Sequence, residues 1–244
     1  LYISLKDLSQ NPYSIKDGNL ANSIANKMKY KITLKDLKSW KTIKRNPICM
    51  NYYGYSICGF PPPTSGGVGV LQILGILKKF KSKNNLLLSQ HLFLESSRLA
   101  YSDRDTFIAD PDFFEVPLTG LLTKNYLLNR ANEININKAN HNFSHGNPSK
   151  FKNKNLIRGK STEKPSTSHI SVIDKYGNAA ALTSSIEFAF GSGKTVGGFF
   201  LNNQLTDFSF DSFDENKKKV ANSISPLKKP RSTMSPTMVF DNNR

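Results

Sequence analysis

The sequence predicts an α+β chain with a helical first half and a second half rich in strands. Three observations predict it. Apolar residues recur at helical spacing between positions 86 and 101. From position 169 onward, strand alternation and turn signals take over. Between them, residues from about 135 to 166 are rich in Asn, Lys, Ser and Gly and show no period. The chain has 244 residues, 38% of them hydrophobic and 21% charged. It can therefore bury a sizeable core, as one large domain or two small ones.

Residues 1 to 60 read as short helices followed by strands. Thr33-Leu34-Lys35-Asp36 has the spacing of a capping box, with Asp in place of Glu. Residues 48 to 60 alternate as a hairpin turning at Tyr53-Gly54, which places Cys49 opposite Cys58. Either a strained disulfide or two free, buried thiols fits that register, and the reading favours free thiols. Pro61-Pro62-Pro63-Thr64-Ser65-Gly66-Gly67 is a rigid turn leading into an apolar, buried helix from about Val68 to Phe80. A second helix, Leu86 to Tyr101, carries Leu88, Leu92 and Leu99 on one stripe and ends in Ser102-Asp103-Arg104-Asp105. Capping and local ion pairing account for these acids and for Asp110 and Asp112; a metal site is the lesser alternative. A third helix is expected from Thr123 to Glu133. Residues 135 to 166 form a flexible linker or exposed loop. Strands follow at His169–Asp174 and Ala179–Thr183, joined by a tight turn at Gly177-Asn178, and again at Val196–Leu201 and Thr237–Phe240.

Composition excludes more than it selects. The net charge of +16 suggests phosphate binding, but the lysines are scattered among asparagines rather than gathered on one motif. Neither nucleic acid nor a basic binding role is therefore the leading reading. No stretch of roughly 18 apolar residues would cross a bilayer. The dispersed histidines and the two cysteines have no metal spacing, so neither metal nor cofactor is expected. The chain opens at Leu1 without a visible leader, and both ends look cut.

A loose loop ending at Ser166-Thr167 before a hairpin has a specific chemical use. If the Ser166–Thr167 bond is cut, Thr167 gains a free α-amine, whose ordinary pKa is about 7.7–8.0. That amine can take the proton of its own hydroxyl, making one residue both nucleophile and base. Spacing alone does not distinguish this from a solvated loop.

The segment Thr167-Ser168-His169-Ile170-Ser171-Val172-Ile173-Asp174-Lys175-Tyr176-Gly177-Asn178-Ala179 resembles the start of the small subunit of gamma-glutamyltransferases. Leu201-Asn202-Asn203-Gln204-Leu205-Thr206-Asp207-Phe208-Ser209 and Lys229-Pro230-Arg231-Ser232-Thr233-Met234-Ser235-Pro236-Thr237 are similar to two further signatures of that family. The Pro61 to Gly67 turn and the Asp103 to Phe113 segment match its large subunit. The likeness keeps its order along nearly the whole chain, and only the 135–166 stretch lacks it.

The resemblance implies an N-terminal-nucleophile hydrolase, a four-layer αββα sandwich truncated here at both ends. It implies a large-subunit part, 1–166, ending in the processing loop, and a small-subunit part, 167–244. Self-cleavage of Ser166-Thr167 would yield a two-subunit heterodimer from one precursor. Thr167 would be the nucleophile and Ser185 the hydroxyl bonded to it. Glu187, Gln204 and Asp207 would hold the substrate's α-amine, and Ser232 and Thr233 its α-carboxylate. Glu187 stands where better-studied members have Asn, so a glutaryl or cephalosporin acylase-like amidase is the alternative. The expected substrates are glutathione and other gamma-glutamyl compounds, with an amino acid, peptide or water as acceptor. An exported, periplasmic location follows from the resemblance only. The chain stops before the family's Gly-Gly oxyanion hole and begins after its carboxylate-binding arginine. Losing a single oxyanion donor costs about 100- to 1,000-fold, so these residues alone are expected to be poorly active.

Overall fold

A computed structural model describes residues 1–29, 31–81, 85–148, 156–159, 167–213 and 216–241. In chain order it runs through helices α1 (Tyr2–Gln10), α2 (Asn19–Met28) and α3 (Leu34–Ser39), then strands β1 (Ile48–Tyr52) and β2 (Tyr55–Gly59). Helices α4 (Gly66–Leu77), α5 (Leu86–Phe107), α6 (Leu118–Leu121) and α7 (Lys124–Asn132) follow. Strands follow in the remainder, between turns and irregular segments: β3 (Leu156–Ile157), β4 (Thr167–Ile173), β5 (Ala179–Ser185), β6 (Thr195–Val196), β7 (Phe199–Phe200), β8 (Lys219–Val220) and β9 (Thr237–Asp241). The mixed helix-and-sheet class is the expected one. No helix among the described residues is long and apolar enough to cross a membrane.

The described residues fall into two compact units, one of 1–44, 167–168 and 185–204, the other of the rest. In the first, Leu20 and Ile24 of α2 bury against Val196, with Leu8, Leu37, Phe199 and Leu201 packed around them. The capping box of α3 forms as predicted: Thr33 Oγ1 accepts from Asp36 N at 3.2 Å, and Asp36 Oδ2 accepts from Thr33 N at 2.8 Å. The continuous strand expected over Val196–Leu201 is instead a hairpin of β6 and β7. Gly197 and Gly198, with φ of 58° and 86°, reverse the chain in a conformation that side-chain-bearing residues resist.

In the second unit, β2 lies between β1 and β9 in one sheet. The β1–β2 hairpin turns at Tyr53-Gly54 and sets Cys49 against Cys58, as predicted. The expectation of free thiols fails, because the two cysteines form a disulfide. Direct cross-strand register brings their Cα atoms to 4.1 Å, which leaves the side chains nowhere to diverge. Beside this sheet, α4, α5 and α7 bury Ile76, Leu92, Leu99, Leu127 and Ala131 together.

Helix α5 runs past the predicted stop at Ser102 to Phe107. Its last turns do not solvate or cap locally. Asp103, Arg104 and Asp105 are all buried, and beside the adjacent Arg104–Asp105 ion pair at 2.7 Å they take partners far away in sequence. Asp103 accepts from Tyr126 Oη at 2.7 Å, Gln72 Nε2 at 3.0 Å and Gly146 N at 2.8 Å, with Arg130 Nη2 at 3.3 Å. Burial pushes its carboxyl above the ordinary range, and the Arg130 charge opposes that rise. Ion pairing accounts for these acids as expected, locally between Arg104 and Asp105 and also over long range, from Arg130 to Asp103 and from Arg158 and Arg231 to Asp105. No cluster able to hold a metal ion occurs among the described residues.

The described part of the 135–166 stretch is irregular apart from β3, which pairs in parallel with β8. It is nevertheless tied down. Arg130 Nη2 donates to Ser144 O at 2.9 Å and Asn140 N to Glu95 Oε2 at 3.0 Å. The turn between β4 and β5 is set by Asp174, whose carboxylate accepts from the backbone N–H groups of Tyr176 and Asn178 and from the Asn178 side chain. The Asn178 side-chain bond, chiefly, holds that carboxyl below its usual range.

Candidate active site

Thr167 opens β4 and Ser185 closes β5, so the hairpin brings its two ends side by side. The Thr167 hydroxyl donates to Ser185 Oγ at 3.1 Å. Ser185 Oγ accepts a second bond, from Glu187 N at 2.9 Å. An oxygen with two acceptor positions is thereby filled, and the Thr167 hydroxyl is fixed in direction. The predicted pairing of Thr167 with Ser185 is thus present in the geometry. The proposed cleavage bond is the peptide bond that precedes Thr167, and Ser166 lies outside the described residues.

Past Ser185 the chain turns sharply. Glu187 adopts φ 72°, an uncommon conformation for a residue with a side chain, and one found at functional turns. Only 5% of it is exposed. Its Oε2 accepts from Asn203 Nδ2, while its Oε1 has no hydrogen-bond partner among the described residues. Asn203 is a residue the sequence reading passed over. Its Oδ1 also accepts from Phe188 N at 3.0 Å, and its N–H donates to Ile186 O at 3.2 Å. One asparagine therefore fixes both the turn and the carboxylate. The return of the chain is close: a Cβ on Gly191 would collide with the Leu201 carbonyl. Next to Asn203, Gln204 N donates to Asn202 Oδ1 at 3.0 Å.

The remaining predicted residues belong to the second unit. Asp207 is buried at the end of a 3-10 turn spanning Gln204–Asp207, and its carbonyl accepts from Asn222 Nδ2 at 2.7 Å. Ser232 bridges to Thr64, and its carbonyl accepts from Ser65 N and Ser65 Oγ, both at 2.8 Å. A Cβ on Gly66 would strike Met234 O and Ser235, so the Pro61–Gly67 turn and the Lys229–Thr237 segment meet closely. Thr233 Oγ1 accepts from Arg104 Nη2 at 2.9 Å. Neighbouring Arg231 is wholly buried and donates to Arg104 O at 3.0 Å. Burial, with the like charge of Arg104 adding to it, pushes its guanidinium down to about 9. It remains cationic at neutral pH.

Comparison with known proteins follows this layout. The family described as Gamma-glutamyltranspeptidase matches residues 4–244. A protein named glutathione hydrolase proenzyme from Escherichia coli K12 is 37% identical over 99% of this chain and 42% of its own length. A protein of the same name from Bacillus subtilis strain 168 is 36% identical over 87% of this chain and 37% of its own. Among solved structures, cephalosporin acylase from Bacillus halodurans superposes with a TM-score of 0.80 at 24% identity, covering 99% of this chain and 41% of that one. That likeness shows a shared fold. The chain spans about two fifths of the length of the curated relatives it matches.

Proposed function

This chain belongs to the gamma-glutamyltranspeptidase family, and we propose that the whole protein hydrolyses or transfers gamma-glutamyl groups through a threonyl acyl-enzyme. The observation that carries the reading is the Thr167–Ser185 hydrogen bond at the start of a strand. Cleavage before Thr167 gives it an α-amine able to accept the hydroxyl proton near neutral pH. The oxygen then attacks the gamma-amide carbonyl of glutathione or a related compound. The released amine takes the proton, and a gamma-glutamyl ester remains on Thr167. Water or an acceptor amine attacks that ester in the second step. Ser185 keeps the hydroxyl oriented in the resting state.

By the family resemblance, Glu187, Gln204 and Asp207 are each assigned to the substrate's ammonium, and Ser232 and Thr233 to its carboxylate. The Glu187 carboxylate favours an amine-bearing acyl group over a glutaryl one. An ionised oxygen that is buried without a donor is costly, and a bound ammonium supplies a charge-assisted partner. Both relatives are named as proenzymes, which supports processing of one precursor into two subunits. Export is the proposed location, and the Cys49–Cys58 disulfide supports it, since disulfides persist in oxidising compartments.

Steady-state kinetics with gamma-glutamyl and glutaryl anilides test the reading. The expected kcat/KM favours the gamma-glutamyl donor, and Glu187→Gln raises its KM by about tenfold to a hundredfold, the equivalent of a charged hydrogen bond. A wild-type preference for the glutaryl donor would instead place the protein with the acylases.

A further inference from the structure

The hydroxyl pair assigned to the substrate carboxylate is held from behind by a side chain distant in sequence. Arg104, on the last turn of α5, donates from Nη2 to Thr233 Oγ1 at 2.9 Å, from Nε to Ser65 Oγ at 2.9 Å and from Nη1 to Asp105 Oδ1 at 2.7 Å. Ser65 Oγ in turn donates to the Ser232 carbonyl at 2.8 Å. One guanidinium thus reaches Thr233 directly and Ser232 through a single hydroxyl.

We propose that Arg104 is a positioning residue for carboxylate recognition, orienting the Thr233 hydroxyl as a donor and fixing the Ser232 backbone through Ser65. The proposal rests on the reading of Ser232 and Thr233 as the carboxylate-binding pair. A guanidinium has donors and no acceptor, so in the contact with Arg104 the Thr233 oxygen must accept. Its own proton then has to be given to another group, which is the polarity an incoming carboxylate requires. Without the guanidinium donor at 104, the Thr233 oxygen is no longer made to accept from that side, and lone pairs turned toward the anion repel it.

Charge acts in the same direction. Asp105 is shared by Arg104 at 2.7 Å, Arg158 at 2.8 Å and Arg231 at 3.4 Å. Asp207 also offsets part of the Arg231 charge. Arg104, which donates to Thr233, and Arg231, the residue before Ser232, thus put guanidinium charge beside the pair. The planar fork matters as well as the charge, because a lysine cannot serve Thr233, Ser65 and Asp105 at once.

The test uses the whole protein with Arg104→Lys, Arg104→Gln, Ser65→Ala and Thr233→Val, assayed on a gamma-glutamyl anilide and on a 4-aminobutyryl anilide. The second donor keeps the amine and lacks the α-carboxylate. Arg104→Gln is expected to raise KM for the gamma-glutamyl donor by about tenfold to a hundredfold, with kcat changed much less. Arg104→Lys and Ser65→Ala should show smaller shifts in the same direction. Each loss should be at least about tenfold greater on the gamma-glutamyl donor for Arg104→Gln, and visibly greater for the other two. Should Arg104→Gln fail to fold, Arg104→Lys and Ser65→Ala decide the matter. Equal losses on both donors, or no change of KM in these variants while Thr233→Val raises it, overturn the role of Arg104. If Thr233→Val also leaves KM unchanged, the underlying assignment of the hydroxyl pair falls, and the proposal with it.

Discussion

Replacing Thr167 with Ala should leave the protein as a single uncut chain with gamma-glutamyl activity reduced at least about a thousandfold. One hydroxyl serves two reactions in this account, attack on the preceding amide and attack on substrate. Deleting it removes both, so the two losses must appear together. The magnitude follows from nucleophile deletions in other acyl-transfer enzymes, where residual rate comes from binding and oxyanion stabilisation alone. The mutation costs little structure, because Thr167 is solvent-exposed and its side-chain bond is to Ser185. Gel electrophoresis and a gamma-glutamyl anilide assay measure the two effects on one sample. Normal cleavage with no activity would separate the roles, and full activity would remove Thr167 from the chemistry. Thr162→Ala is the control and should be processed and active like the parent protein.

The largest effect on stability is expected at Asp103. Its carboxylate is wholly buried and collects Tyr126, Gln72 and Gly146 as donors as well as the buried Arg130. Asp103→Ala strands those groups and leaves the Arg130 charge without this partner, a class of change that costs about 3–5 kcal/mol. For a chain of this size that corresponds to roughly 6–20 °C in melting temperature. The exposed Lys38–Asp17 pair makes the contrast. Its contact of 2.8 Å is about as short as any in the Asp103 cluster, yet water screens it, and Lys38→Ala should change stability by less than about 1 kcal/mol. Thermal unfolding of the two variants measures the difference. Similar losses for both would show that burial is not what gives the Asp103 cluster its weight.

Local chemistry was readable along the chain. The Thr33–Asp36 capping box and the Tyr53-Gly54 hairpin each depend on residues within a few positions of one another, and each formed as the sequence indicated; the tight turn expected at Gly177-Asn178 is instead a longer one over Asp174–Asn178, held by the Asp174 carboxylate. The pairing of Thr167 with Ser185 was also readable, through a resemblance that aligned both. What escaped depends on contacts without a local signature. Arg104 and Thr233 are 129 positions apart, and nothing in the run Ser102-Asp103-Arg104-Asp105 distinguishes buried charges from a solvated helix end. Helix α5 was therefore stopped too early. Asn203 was overlooked for a similar reason, since its importance comes from Glu187 across a tight return of the chain. The cysteines were placed opposite each other correctly, but register alone left their bonding open.

The mature protein's own covalent structure records directly whether Thr167 has become a chain terminus. Intact mass and N-terminal sequencing of the whole protein, after expression and incubation, should give two polypeptides, the second beginning with Thr167. A chain that stays whole, or a new terminus at any other residue, would contradict the assignment of Thr167 as the nucleophile.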